Sequence, residues 1–123
     1  MDEMDDFRNK LRKELRTGLI SILLLDVIDR AGEECYGYAI IKRLSEYSDG
    51  YFVFKEGTIY PILHSLLKQG LVATEIKESP AGPARKCYML TPLGMKALRA
   101  GLEEWGELNA TAQKLLSRRN VGI

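Results

Sequence analysis

The segment from Leu71 to Thr91 constrains the fold most strongly, because it interrupts a chain of helical patterns. Two strand-like runs, "LVATEIKE" and "KCYMLT", lie here on either side of "SPAGPAR". The two prolines and one glycine of that joint forbid regular structure, so the pattern predicts a hairpin with a long tip. The fold must therefore combine helices with one small hairpin.

Two helical patterns and a short apolar run lead toward this hairpin. From Asp5 to Ala31, apolar residues recur three or four positions apart, which predicts one long helix or two helices that meet at Gly18. The second pattern, "YGYAIIKRLSEY", ends at the turn residues Ser48-Asp49-Gly50. The aromatic and β-branched run "YFVFK" at 51–55 predicts a brief strand.

A third helical pattern, "KEGTIYPILHSLLKQGLV", directly precedes the hairpin and contains Pro61. Proline is tolerated in the first turn of a helix, which favours Thr58 as the cap. A start near Lys55 would cost one hydrogen bond and bend the helix, and the sequence leaves both starts open.

The chain ends in a long amphipathic helix. Thr91-Pro92 is a strong start signal, and the helix is predicted to run to about Ser117. About 25 residues at 1.5 Å each span close to 40 Å, longer than a domain of this size can cover on its own. Its apolar residues alternate steps of four and three, as in a coiled-coil seam, which indicates a partner helix.

The order of elements predicts an α+β fold that is mainly α with a small β-hairpin. The second and third helices followed by a hairpin form the layout of a winged helix-turn-helix, in which the third helix lies in the DNA major groove. We expect a DNA-binding domain with its N-terminal helix at 1–91, and a C-terminal dimerization helix at 92–123.

Composition narrows the function mainly by exclusion. The net charge of +1 gives no bulk argument for nucleic acid, although residues 7–16 carry five bases and one acid, a pattern that a solvated helix face also explains. The sequence has one His and lacks a Cys/His cluster, a glycine-rich phosphate loop and a nucleophile motif. We therefore expect no enzyme, no metal and no cofactor.

Two further features bear on the compartment. The most apolar run, Gly18 to Ile28, is about half the length that a bilayer needs and contains Asp26, so no membrane span is predicted. Cys35 and Cys87 lie far apart in sequence, which favours two reduced thiols in a cytoplasmic protein over a disulfide or a zinc site.

The outer face of the third helix is the candidate DNA-contact surface. It lacks Arg, Asn and Glu, the usual base readers, so we expect it to depend on phosphates and DNA shape more than on bases, unless it is simply a solvated surface. The candidate contacts on this helix and the hairpin are Lys55, Thr58, Tyr60, Pro61, His64, Ser65, Lys68, Arg85 and Lys86.

Three segments resemble the PadR family of bacterial transcriptional regulators: "YGYAIIKRLSEYSDG", "KEGTIYPILHSLLKQGLV" and "RKCYMLTPLGMKAL". The resemblance implies a winged-helix homodimer that represses transcription from double-stranded DNA. Thr58, Tyr60, Pro61 and His64 match the family's recognition-helix motif. The hairpin matches less well, since "AGPARKCY" lacks one basic residue and has Cys87 in place of an aromatic.

The short chain is similar to the small branch of that family, in which flat hydrophobic drugs bind between subunits near a tryptophan. By that resemblance the candidate ligand residues are Trp105, Leu15, Gly18 and Ile22, although the sequence favours Trp105 as the main aromatic of the core or of a dimer seam. The sequence thus predicts a homodimeric repressor on an inverted-repeat operator, released by a hydrophobic or aromatic ligand. The alternative is a winged-helix protein-interaction module without sequence-specific DNA binding.

Overall fold

The computed structural model describes residues 2–79 and 81–118. These residues form four helices and one two-stranded antiparallel sheet, which confirms the predicted α+β class. The elements in chain order are α1 (Glu3–Arg30), α2 (Gly37–Tyr47), α3 (Glu56–Lys68), β1 (Val72–Ser79), β2 (Gly82–Leu90) and α4 (Pro92–Ser117).

Helix α1 is continuous through Gly18, so the predicted single helix holds and the break does not occur. Its N-terminus is closed by Asp2, whose carboxylate accepts a 2.8 Å hydrogen bond from the amide of Asp5. This cap and the acids of the first turn complement the positive end of the helix dipole.

The predicted strand at 51–55 is wrong, because no strand among the described residues pairs with this segment and its aromatic rings pack instead. The rings of Phe52 and Phe54 stack with centroids 5.8 Å apart, and Tyr51 meets Phe52 edge-on at 4.9 Å. The Phe52 amide donates to the Ser48 hydroxyl at 2.9 Å, which ties the segment to the end of α2.

Helix α3 begins one turn earlier than the start at Thr58 that the sequence favoured, so the prediction that Pro61 lies in the first turn is wrong. Lys55 is the cap residue, and its carbonyl accepts from the amides of Thr58 and Ile59 at 3.0 and 3.3 Å. Pro61 therefore lies inside the helix and offers no N–H to the carbonyl of Gly57. Both residues are exposed, so water can satisfy that carbonyl.

The tip of the hairpin is shorter than predicted, since strand pairing continues as far as Ser79, which lies opposite Gly82. From Lys77 to Ser79, two residue steps on β1 lie opposite three residue steps on β2, so the hairpin contains a β-bulge. Pro83 lies in this irregular stretch, where a strand tolerates a missing donor. Residue 80 of the predicted joint lies outside the described residues.

The core is formed where α1, α2 and α3 meet beneath the hairpin. Leu24, Ile40, Ile59 and Leu63 have no exposed surface. From the C-terminal helix only Gly94 and Leu98 are buried, among the residues described for it. The first turns of α4 thus complete the core, and the rest of the helix extends beyond it.

The start of α4 is fixed by Thr91, as predicted. Its hydroxyl accepts a 3.0 Å hydrogen bond from the Gly94 amide and donates to the carbonyl of Gly70 at 2.6 Å. A Cβ added at Gly94 would overlap the Leu71 carbonyl oxygen, so a glycine is needed where α4 crosses the start of the hairpin.

The prediction of two reduced thiols is wrong: Cys35 and Cys87 form a disulfide. Their Cα atoms lie 4.8 Å apart because the backbone of the turn before α2 pairs with β2. The Tyr88 amide donates to the Cys35 carbonyl at 2.8 Å, and Tyr36 bridges to Cys87. Both cysteines are buried, so the bond links the helix-turn-helix to the hairpin from inside.

No helix within residues 2–79 and 81–118 is long and apolar enough to cross a bilayer.

Candidate nucleic-acid interface

Helix α3 separates an apolar face from a polar one, as its sequence predicts. Ile59, Leu63 and Leu66 are buried in the core. Every candidate DNA contact predicted on this helix is exposed, as is Lys55 at its cap: Thr58, Tyr60, Pro61, His64, Ser65 and Lys68. The helix therefore presents a polar, weakly basic ridge to solvent.

An open cleft of about 430 Å³ lies on one flank of this ridge, between the N-terminus of α2, helix α3 and strand β2. Aromatic and cationic side chains dominate its lining. The lining residues are Tyr36, Gly37, Tyr38, Tyr60, Pro83, Arg85, Lys86 and Tyr88. The structure thus brings the predicted hairpin cations to the same cleft as Tyr60 of the third helix.

Arg85 is held in this cleft by two tyrosines of the α2 start. Its Nη1 donates to the Tyr38 hydroxyl at 3.0 Å, and its guanidinium carbon lies 5.0 Å from the ring centroid of Tyr36. Lys86, one residue on, is exposed, and Lys77 pairs with Arg85 across the hairpin. Arg85 therefore fixes the hairpin against α2 and leaves Lys86 free to meet an anion.

Tyr60 reaches the cleft because α2 begins with a glycine. A Cβ at Gly37 would lie 2.6 Å from the Tyr60 hydroxyl oxygen and 2.8 Å from its Cε1. Burial raises the pKa of Tyr60, with a smaller contribution from the Glu56 carboxylate. The phenol therefore stays protonated near neutral pH and can donate a hydrogen bond to a phosphate oxygen.

Sequence reasoning missed Tyr36 and Tyr38, which line the cleft. Their rings stack 6.5 Å apart at the start of α2. The signal that could have found them is "YGY" itself, because a glycine between two aromatics at a helix start permits close approach by another element.

The four candidate ligand residues lie on the two long helices, α1 and α4. Ile22 packs against α4, where a Cβ at Gly101 would lie 2.9 Å from its Cγ1. Leu15 and Trp105 remain 71% and 41% exposed. Gly18 would offer open space to a Cβ. Leu15 and Trp105 lie within a longer run of exposed apolar side chains.

This apolar stripe continues along both long helices. Its members are large, exposed hydrophobic residues of α1 and of the part of α4 that extends beyond the core. They are Met4, Phe7, Leu11 and Leu15 of α1, and Leu102, Trp105, Leu108, Leu115 and Leu116 of α4.

Within the described parts of the chain, no group of three or more His, Cys, Asp or Glu side chains is arranged to hold a metal ion.

Comparison with known proteins gives the family. The model of the transcriptional regulator PadR-like family matches residues 24–100, more than half of the chain. The chain belongs to the PadR-like family. This is a family of transcriptional regulators, not of enzymes, and membership implies DNA binding.

Solved PadR-like structures share the architecture. A PadR family transcriptional regulator from Eggerthella lenta has a TM-score of 0.78 and 32% identity, covering 92% of this chain and 95% of that one. A PadR-like regulator from Bacillus cereus has a TM-score of 0.71 and 31% identity, covering 84% and 96%. The winged-helix layout predicted from the order of elements is thereby confirmed.

A transcriptional regulator of Mycobacterium tuberculosis, Rv3488, is 40% identical over 77 residues, which span 60% of this chain and 68% of that protein.

Proposed function

We propose that the protein is a homodimeric repressor that binds an inverted-repeat DNA operator and is released by a hydrophobic or aromatic ligand. The observation that carries the proposal is the exposed polar ridge of α3 beside a cleft that holds Tyr60, Arg85 and Lys86. An α-helix with its side chains is about 10–12 Å wide, and the DNA major groove is about 12 Å wide. The ridge is therefore suited to lie in that groove.

The chemistry of the ridge favours phosphate over base contacts. Thr58 and Ser65 are short hydroxyl donors, and the start of α3 presents free backbone amides with the positive end of the helix dipole. Only His64 and Lys68 are suited to reach base edges. Specificity would then come largely from the spacing of two half-sites and from DNA deformability.

Dimerization through the apolar stripe supports the two-fold part of the proposal. The helix α4 has 26 residues, about 39 Å at 1.5 Å per residue, and its buried residues lie in the first turns. A second copy of the chain could cover Leu102, Trp105 and Leu108 together with Leu11 and Leu15 of α1. We assign dimerization to 92–123, of which residues 119–123 lie outside the described residues.

A ligand site at the centre of that dimer would join Trp105 to Leu15, Gly18 and Ile22. Gly18 has no side chain, so it would leave room for a flat apolar molecule between the subunits. A ligand that changed the angle between the subunits would change the separation of the two α3 helices, and with it the match to the half-sites.

The proposal is tested with duplexes that the protein selects from a randomised DNA pool. We expect a two-fold symmetric site that binds two protomers, with half-sites about one helical turn apart. Inserting about 5 base pairs between the half-sites rotates them to opposite sides of the duplex and should abolish high-affinity binding. Selection that returns no common site would instead favour the protein-interaction module.

A further inference from the structure

Helix α3 has a second flank, on the side of the ridge away from Tyr60. Thr58 and Ile62 lie on this flank, and they face a second cleft of about 330 Å³ between α3 and the N-terminal half of α1. Helix α1 contributes the polar and basic side chains Asn9, Arg12, Lys13, Arg16 and Thr17 together with Ile20, while most of the exposed surface of the cleft is apolar. Arg12, Lys13 and Arg16 are named here the α1 basic surface.

The charge of this surface is not neutralised within the described part of the chain. The ion pairs there are Arg30 with Asp26 and Lys42 with Glu46, so the three basic side chains take part in neither. Arg12 and Lys13 are exposed. A solvated helix face also has exposed cations, so the position of this surface relative to α3 is what decides its role.

Arg16 fixes that position. Its guanidinium carbon lies 4.6 Å from the ring centroid of Tyr51 and 5.1 Å from that of Phe52, and its Nη2 donates to the Tyr51 carbonyl at 3.4 Å. The same cation lowers the pKa of the Tyr51 phenol. Arg16 thus binds α1 to the segment that leads directly into α3.

The α1 basic surface would also remain open in a dimer formed through the apolar stripe. At about 100° per residue, the mean direction of the three cations lies about 125° around α1 from that of Leu11, Leu15 and Ile22. A partner packed on the stripe would leave the cleft beside Thr58 uncovered.

The two clefts therefore place cations on both sides of the α3 ridge. A major groove is bounded on its two sides by the two sugar-phosphate backbones of the duplex. We infer that the α1 basic surface binds the backbone on the side of the groove opposite to the one met by Lys86. The inference rests on the proposed function, because it requires α3 to enter the major groove.

The test compares two variants that each remove two positive charges from the same helix. Arg12→Ala/Lys13→Ala removes the exposed cations of the cleft, whereas Arg8→Ala/Lys10→Ala removes exposed cations that do not line it. Arg16 is left in place because it holds α1 against the Tyr51 segment. All proteins are titrated with the selected duplex across salt concentrations, and ethylation interference maps the contacted phosphates.

We expect Arg12→Ala/Lys13→Ala to lower the slope of log K against log salt by about 0.9 for each phosphate that the protein no longer neutralises, or about 1.8 per half-site. In the Arg12→Ala/Lys13→Ala protein, ethylation interference should weaken along one edge of the groove. In Lys86→Ala, it should weaken along the other edge. The Arg8→Ala/Lys10→Ala protein should keep the wild-type slope and pattern.

If the wild-type protein binds the duplex but the two double variants have the same salt slope and the same interference pattern, this inference is overturned and the proposed function stands. A wild-type protein without salt-dependent DNA binding would overturn both.

Discussion

Gly37 and Tyr60 meet so closely that a methyl group on Gly37 would lie 2.6 Å from the tyrosine hydroxyl oxygen. The backbone of Gly37 does not have a positive φ, so an alanine there adds no backbone strain, and only the Tyr60 side chain has to move. Gly37→Ala should therefore leave the fold intact while it forces Tyr60 out of the cleft.

We expect Gly37→Ala to weaken operator binding about tenfold, the equivalent of one charge-assisted hydrogen bond to phosphate. Anisotropy titration measures the affinity, and thermal unfolding verifies the fold. Tyr60→Phe is the companion variant, since it removes the hydroxyl and leaves α2 unchanged, and it should weaken binding by a similar factor. Wild-type affinity in both variants would show that Tyr60 does not act from this cleft.

Thr91→Ala should destabilise the protein by about 1–2 kcal/mol, because the start of α4 loses its side-chain cap. The variant also loses the bond from the hydroxyl to the Gly70 carbonyl. Urea unfolding measures the change, and Thr91→Ser, which keeps the hydroxyl, should recover most of it. A serine variant as unstable as the alanine variant would assign the effect to the missing methyl group instead.

Reduction of the Cys35–Cys87 bond should lower the free energy of unfolding by up to about 4 kcal/mol, since the bond closes a loop of 52 residues in the unfolded chain. Unfolding with and without dithiothreitol measures this. The Cys35→Ser/Cys87→Ser protein should not respond to the reductant. Two titratable thiols per chain in denatured, air-oxidised protein would contradict the disulfide.

Trp105→Ala should raise the dimer dissociation constant about 30-fold, because truncating a central aromatic anchor of an interface costs about 2 kcal/mol or more. Sedimentation velocity over a range of protein concentrations measures the equilibrium. Leu93→Ala is the control, since Leu93 is also an exposed apolar residue of α4 but lies about 180° around the helix from Leu102.

The same variant tests the ligand site. Quenching of tryptophan fluorescence by a flat aromatic ligand cannot be followed in Trp105→Ala, because the fluorophore is absent. The ligand response of this variant is therefore measured as the release of labelled operator. Unchanged sedimentation together with unchanged operator release would remove both roles from Trp105.

The sequence predicted those parts of the fold that local periodicity decides. The two faces of α3 follow from the spacing of Ile59, Leu63 and Leu66, and the start of α4 follows from Thr91-Pro92. Both signals act within a few residues, so neighbouring elements do not alter them.

The predictions of a strand at 51–55 and of two reduced thiols were wrong because distant segments decide both features. The aromatic run has strand propensity, but it packs on Arg16 and on its own rings. Cys35 meets Cys87 only because the hairpin pairs with the turn before α2. The cleft residues Tyr36 and Tyr38 were missed for the same reason, since Arg85 reaches Tyr38 across 47 positions.

The central claim is that α3 and the hairpin bind DNA through phosphates, and the salt dependence of binding tests it most directly. The affinity for the protein's own upstream DNA is measured by gel shift over a series of salt concentrations, for the wild-type protein and for Lys86→Ala. We predict a steep linear fall of log K with log salt, and a slope smaller by about one for Lys86→Ala at each half-site, with affinity reduced on all sequences alike. Binding that does not depend on salt, or a Lys86→Ala effect confined to one operator base, would contradict the account.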